Sequence, residues 1–246
     1  MNNAFIAVLD SGIGGISVLN DLIKELPNER YIYLGDNFNA PYGNRTKRDL
    51  LSLAIKNINI LIQYKIKALV VACNTLSVNV LPQIREYAPF PVFGIFPPVE
   101  RCLMSGERTL LIATERTAER YNSNECFKVV GSKNLVREIE KNAFNLERVD
   151  AVKIILDELE DNSCIKSDCF ERVILGSTHY EFVKNQISDH FRPRKMISGN
   201  HFNVNSVKNL LSTSKSLVNN SRKQVLFVGE NALTNFMFFR KSGQSG

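Results

Sequence analysis

A chain of 246 residues, 44% of them hydrophobic and 23% charged, has globular composition, which excludes a disordered or fibrous chain and leaves room for two lobes of roughly 100 residues each. Its net charge of +6 comes from basic residues dispersed along the chain, which predicts a solvated surface and no nucleic-acid partner. No early apolar run approaches the length of a membrane span or signal peptide, so a cytoplasmic protein with no membrane contact is expected, its five scattered cysteines being reduced thiols.

Phe5–Leu9 reads as a first buried strand and runs into Asp10-Ser11-Gly12-Ile13-Gly14-Gly15. A helix follows, with Ile16, Leu19, Leu22, Ile23 and Leu26 at helical spacing. Glycines let the backbone approach a ligand, and free N–H groups at a helix start favour a carboxylate or phosphate, although a plain structural turn uses the same residues. This is no dinucleotide fingerprint, because the third glycine of G-x-G-x-x-G falls at Ser17, and the Gly-Lys-Ser/Thr ending of a phosphate loop is missing. Tyr31–Leu34 is a second strand, followed by Gly35-Asp36 and then Pro41-Tyr42-Gly43. That second group reads either as a tight turn or as a carboxylate site built from turn amides and a tyrosine hydroxyl. Thr46, three residues before Asp49, is expected to cap a helix with Leu50, Leu51, Ala54, Ile58, Leu61 and Ile62 on its apolar face.

The strand Ala68–Ala72 leads into Cys73-Asn74-Thr75, where a helix start favours a thiolate, whereas a cysteine within the strand itself would be mere packing. Val92–Ile95 lies within a cluster of Pro89, Pro91, Pro97 and Pro98, the expected crossing from one lobe to the other. Thr109–Ala113 and Lys128–Gly131 are further strands, and Glu140 falls on the polar side of a helix beginning near Leu135. Arg172–Leu175 runs into Gly176-Ser177-Thr178-His179, echoing the approach to Cys73. Ligands in open α/β sheets sit at the carboxyl ends of strands, so these two turns are expected to face one another across a cleft. Leu175 occupies the first glycine position of G-x-S-x-G, which removes the serine-nucleophile elbow, and a lone histidine is more often structural than catalytic. Lys195–Ile197 and Gln224–Val228 complete the strands, the last returning to the first lobe. The expected division is residues 1–94 with 208–246 in the first lobe and 95–207 in the second. Cys164 and Cys169 have no partner pair for zinc, Cys102 and Cys126 read as packing or surface residues, and no metal is expected.

In order along the chain, Asp10-Ser11-Gly12-x-Gly14-Gly15, Gly35-Asp36 with Pro41-Tyr42-Gly43, Ala72-Cys73-Asn74-Thr75 and Gly176-Ser177-Thr178-His179-Tyr180 resemble the motif series of glutamate racemases. The likeness runs from the first strand to Val228-Gly229. It implies two similar α/β lobes with mainly parallel sheets, related by a pseudo-twofold, with the site in the cleft between them. It implies also a cofactor-independent racemase for a small acidic amino acid, glutamate first, that supplies D-glutamate for peptidoglycan, and a homodimer. In that family a cysteine from each lobe flanks the α-carbon; one takes the proton as thiolate and the other delivers one to the opposite face. By position, Cys73 is the first-lobe cysteine, acting on the D-enantiomer, with Asp10 and His179 assisting proton transfer and Glu140 matching a family glutamate on the second-lobe side. Ser11, Pro41, Tyr42, Gly43, Asn74, Thr75, Thr117 and Thr178 match residues that hold the substrate through hydroxyls, amides and backbone N–H groups.

Two positions depart from the family. Its Gly-Cys-Thr-His motif here reads Gly176-Ser177-Thr178-His179, and Ser198-Gly199-Asn200 stands where family members carry an acidic residue. A serine hydroxyl needs an adjacent base to act as a thiol does, and losing a positioned acid or base costs about 10²–10⁴ in rate. Weakened or abolished turnover in an intact pocket is therefore expected at Ser177. Two other readings stay open: a one-cysteine decarboxylase or isomerase, which delivers a proton to one face only, and a non-catalytic binding protein for an acidic amino acid.

Overall fold

A computed structural model describes residues 4–158, 170–213 and 224–242. Cys164 and Cys169 lie outside the described residues. The strands are β1 (Phe5–Asp10), β2 (Arg30–Gly35), β3 (Ile66–Val71), β4 (Val92–Gly94), β5 (Thr109–Thr114), β6 (Phe127–Ser132), β7 (Arg172–Gly176), β8 (Lys195–Ser198) and β9 (Gln224–Phe227). They form two sheets, ordered β4-β3-β1-β2-β9 and β6-β5-β7-β8, and every pairing is parallel. Parallel sheets are covered on both faces, so their strands are continuous apolar runs rather than alternating ones. Accordingly β1 and β5 are buried at every position.

Helices α1 (Gly15–Glu25), α2 (Lys47–Leu61) and α3 (Asn74–Tyr87) follow the first three strands. Ile16, Leu19 and Leu22 form the buried stripe of α1, while Ile23 packs half-buried beside it. Thr46 caps α2 as expected: its Oγ1 accepts from the Asp49 N–H at 3.2 Å and lies 2.7 Å from the Asp49 carboxylate. The chain leaves the first sheet after β4, passes Pro97 and Pro98, and enters the second through α4 (Val99–Leu103). There α5 (Glu115–Ala118) follows β5, α6 (Leu135–Lys141) and α7 (Ala151–Asp157) follow β6, and α8 (Lys184–Phe191) lies between β7 and β8. α9 (Asn200–Thr213) leads back toward β9, which pairs with β2, before α10 (Ala232–Ser242).

One apolar cluster runs through both sheets, from Ile6, Val8 and Val70 through Leu19 and Val207 to Leu110, Ile112 and Val173. Separate clusters cover the far face of each sheet. This shared core packs the two sheets against one another. Lys208 of α9, 2.9 Å from Glu25 of α1, adds a partly exposed ion pair at that junction. The strand order reverses between β1 and β3 in the first sheet and between β5 and β7 in the second, and such reversals open the crevices in which α/β proteins bind ligands.

Candidate active site

The segments after β1, β2, β3, β5 and β7, with Val136 of α6, meet at one small, partly open cavity. It is lined by Ser11, Tyr42, Gly43, Cys73, Asn74, Thr75, Thr114, Val136, Ser177, Thr178 and His179, and has room for about one water molecule. A bound amino acid therefore requires its walls to separate. Larger grooves lie elsewhere, one along Phe96, Pro98, Glu100, Arg101 and Tyr121, but that groove brings no thiol or imidazole to a strand end.

Cys73 caps the start of α3 and Ser177 precedes the 3-10 turn Thr178–Val183, so thiol and hydroxyl come to one cavity from different sheets. Burial pushes the Cys73 thiol up to about 12, with the Asp10 charge adding to the rise; the N–H groups of Leu76 and Thr75 and the Ser11 hydroxyl oppose it. Asp10, at the end of β1, is fully buried, and its Oδ2 accepts from the Gly15 N–H at 2.9 Å and the Gly12 N–H at 3.3 Å. Burial raises its pKa and the neighbouring His179 pulls it back.

His179 is held by Glu140. Its Nε2 lies 2.6 Å from Oε1 of Glu140, and the same oxygen accepts from the Ile13 N–H at 2.7 Å. Asn37 donates to Oε2 of Glu140 at 2.8 Å. Burial works to lower the His179 pKa, but the hydrogen bond and charge of Glu140, with Asp10 behind, outweigh it and the net shift is upward. Glycine in the first loop makes this approach possible. A methyl on Gly12 would lie 1.7 Å from Glu140 Oε1, and one on Gly14 2.3 Å from His179 Nδ1. Both are spaces that only a residue without Cβ leaves open.

Ser11, Gly43, Thr75 and Thr178 line the cavity as the sequence suggests. Asp10, Glu140, Pro41 and Thr117 stand outside its lining. Thr117 is fully buried behind Thr114 and Thr75, with hydroxyl contacts of 3.0 and 3.4 Å. Tyr42 and Asn74 also line the cavity, and their side-chain polar groups have partners within the protein. The Tyr42 hydroxyl lies 2.6 Å from the Asp36 carboxylate, with Asn57 beside both, and the Asn74 amide donates to the Ile95 carbonyl at 3.0 Å. Strong local partners hold these groups, so both side chains brace the strand-end loops. Sequence reasoning missed Thr114 and Val136 as wall residues and Asn37 as a Glu140 partner. Thr114 stands three residues before Thr117 at the end of β5, which was the available signal; Val136 and Asn37 gave none.

A family model described as Asp/Glu/Hydantoin racemase matches residues 16–207. The chain belongs to the Asp/Glu/Hydantoin racemase family. Among curated members, glutamate racemase of Clostridium acetobutylicum is 33% identical over 227 residues, covering 86% of this chain and 85% of the relative. Glutamate racemase 2 of Bacillus subtilis is 31% identical, with 86% and 83% covered. The fold is similar to that of Thermus thermophilus glutamate racemase solved with β-chloro-D-alanine, with a TM-score of 0.79, 28% identity and coverage of 98% and 94%. It is similar also to the Francisella tularensis enzyme in complex with D-glutamate, with a TM-score of 0.77, 25% identity and coverage of 98% and 95%. In this member of the racemase family, the cavity is lined by a thiol from the end of one sheet and a hydroxyl from the end of the other. Among the described residues no cluster of metal-ligating side chains forms, and no helix is long and apolar enough to cross a membrane.

Proposed function

We propose that the chain is a glutamate racemase working without a cofactor, in which Cys73 moves the α-proton of D-glutamate and Ser177 substitutes poorly for the thiol that would serve the L face. The observation that carries this reading is the arrival of Cys73 and Ser177 at one small cavity from the switch points of two sheets. Inversion through a planar carbanion is simplest with an acid and a base on opposite sides of one carbon, and arrival from two different sheets supports such a division. In this reading Asp10, whose charge bears on the Cys73 thiol, and His179, paired with Glu140, assist the proton transfers. The α-ammonium of a bound amino acid brings positive charge toward Cys73, which favours its thiolate.

Ser11, Gly43, Thr75, Thr114 and Thr178 offer hydroxyls and backbone N–H groups to the two carboxylates. The lobes, residues 1–94 with 208–246 and residues 95–207, separate to admit substrate and close to exclude water. The protein is cytoplasmic, forms a homodimer and supplies D-glutamate for peptidoglycan. One observation, the hydroxyl at position 177, favours a second reading on the same site: one-thiol chemistry such as decarboxylation or isomerisation of a small dicarboxylate.

The test is chiral chromatography of D- and L-glutamate incubated with the protein and with Ser177→Cys. The variant is expected to interconvert the enantiomers about 10²–10⁴ times faster than the protein as it stands. If neither form converts either enantiomer, the racemase reading fails.

A further inference from the structure

We infer that Asn37 is a positioning residue whose amide, reaching across the cleft, holds the Glu140 carboxylate against the His179 imidazole. The racemase reading gives this arrangement its purpose, while the geometry stands independently of it.

Glu140 lies on α6, which follows β6 of the second sheet, and Asn37 opens the 3-10 turn Asn37–Asn39 after β2 of the first, 103 positions apart. The two carboxylate oxygens are treated differently. Oε1 accepts from Ile13 and meets His179, whereas the partner of Oε2 is the Asn37 amide at 2.8 Å. Without that donor the carboxylate can turn about its last bond and shift its charge away from the ring. The loop carrying Asn37 is fixed from several directions. The Asp36 N–H donates to the Asp10 carbonyl at 3.1 Å, the Asn39 amide holds the Asp36 carboxylate at 2.8 and 3.0 Å, and the Phe38 N–H donates to Asn231 Oδ1 at 3.2 Å. A half-buried amide on such a backbone makes a rigid donor.

Its neutrality matters as well. A lysine or arginine here would pair with Glu140 and draw its charge from the imidazole, whereas an amide satisfies the oxygen and leaves the charge to His179. The charged and titratable groups facing that ring are Glu140 from α6 and Asp10 from β1, with Tyr33 and Cys73 next to Asp10. Asn37 therefore acts on the ring through Glu140 alone.

The experiment is the titration of the His179 ring protons by NMR in the full chain, assigned by the loss of its signal in His179→Gln, and repeated in Asn37→Leu and Asn37→Gln. Leucine keeps the approximate shape and removes the donor; glutamine restores it. The midpoint is expected to fall by about half a unit or more in Asn37→Leu and to recover most of the way in Asn37→Gln. A midpoint unmoved in Asn37→Leu, or one lowered equally by both substitutions, overturns the inference. In the Ser177→Cys background, Asn37→Leu is expected to slow glutamate turnover roughly tenfold with KM little changed, because the loss is one of orientation. If that background shows no turnover at all, the racemase reading fails, and the titration still decides whether Asn37 positions Glu140.

Discussion

Gly12→Ala tests how the first loop and the second sheet are fitted together. A methyl at this position would lie 1.7 Å from Glu140 Oε1 and 2.5 Å from its Cδ. Gly12 is not among the residues with positive φ, so alanine costs the loop backbone little. The atom displaced is the end of a flexible side chain, so the fold survives and the carboxylate swings away. It then loses the Ile13 N–H, the Asn37 amide and the His179 ring, at 2.7, 2.8 and 2.6 Å. A hydrogen bond to a charged group contributes about 1.5–3 kcal/mol, but the side chain is 13% exposed and regains water as it moves, so the net loss is about 2–3 kcal/mol. At about 2–4 °C per kcal/mol for a chain of this size, the unfolding midpoint falls roughly 5–10 °C. The more specific readout is the His179 ring. Burial is the largest influence on it and acts downward, so with Glu140 gone its NMR titration midpoint falls below about 6.5. A variant that melts within a degree of the parent and titrates unchanged would refute this account of the loop.

Cys73, pushed up to about 12 by burial, is expected to show no thiolate absorbance at about 240 nm below about pH 10, read as the difference between the protein and Cys73→Ser; a step at about pH 8.5 would contradict it. His179 has a folded pKa raised above its unfolded value, so its pair with Glu140 contributes full stability below about pH 6.5 and loses it as pH rises through the folded pKa. Urea titrations across that window should show the parent losing stability relative to His179→Gln. Thr46→Ala, which deletes the α2 cap, is expected to cost about 1 kcal/mol and a few degrees of melting temperature while leaving the His179 titration in place.

The strands were legible because parallel strands buried on both faces are written as unbroken apolar runs, such as Phe5–Leu9 and Ala68–Ala72. The stripe of α1 and the cap of α2 were legible because both are local. The turns at Cys73 and Ser177 could be paired from the sequence alone, because each follows a central strand in the same way. Three features were not readable: the Asn37–Glu140 bond, the burial of Thr117 behind Thr114, and the use of the Tyr42 hydroxyl by Asp36. All depend on how side chains meet once the loops are folded, and 103 positions of chain separate Asn37 from Glu140 with no periodicity to mark them.

The most direct test of the central claim is α-proton exchange in D₂O, followed by NMR on D-glutamate and L-glutamate separately. Exchange from the D form is expected to exceed that from the L form by about 10²-fold or more and to vanish in Cys73→Ser, because a thiol serves one wall and a hydroxyl the other. Equal, rapid exchange from both enantiomers would contradict the assignment.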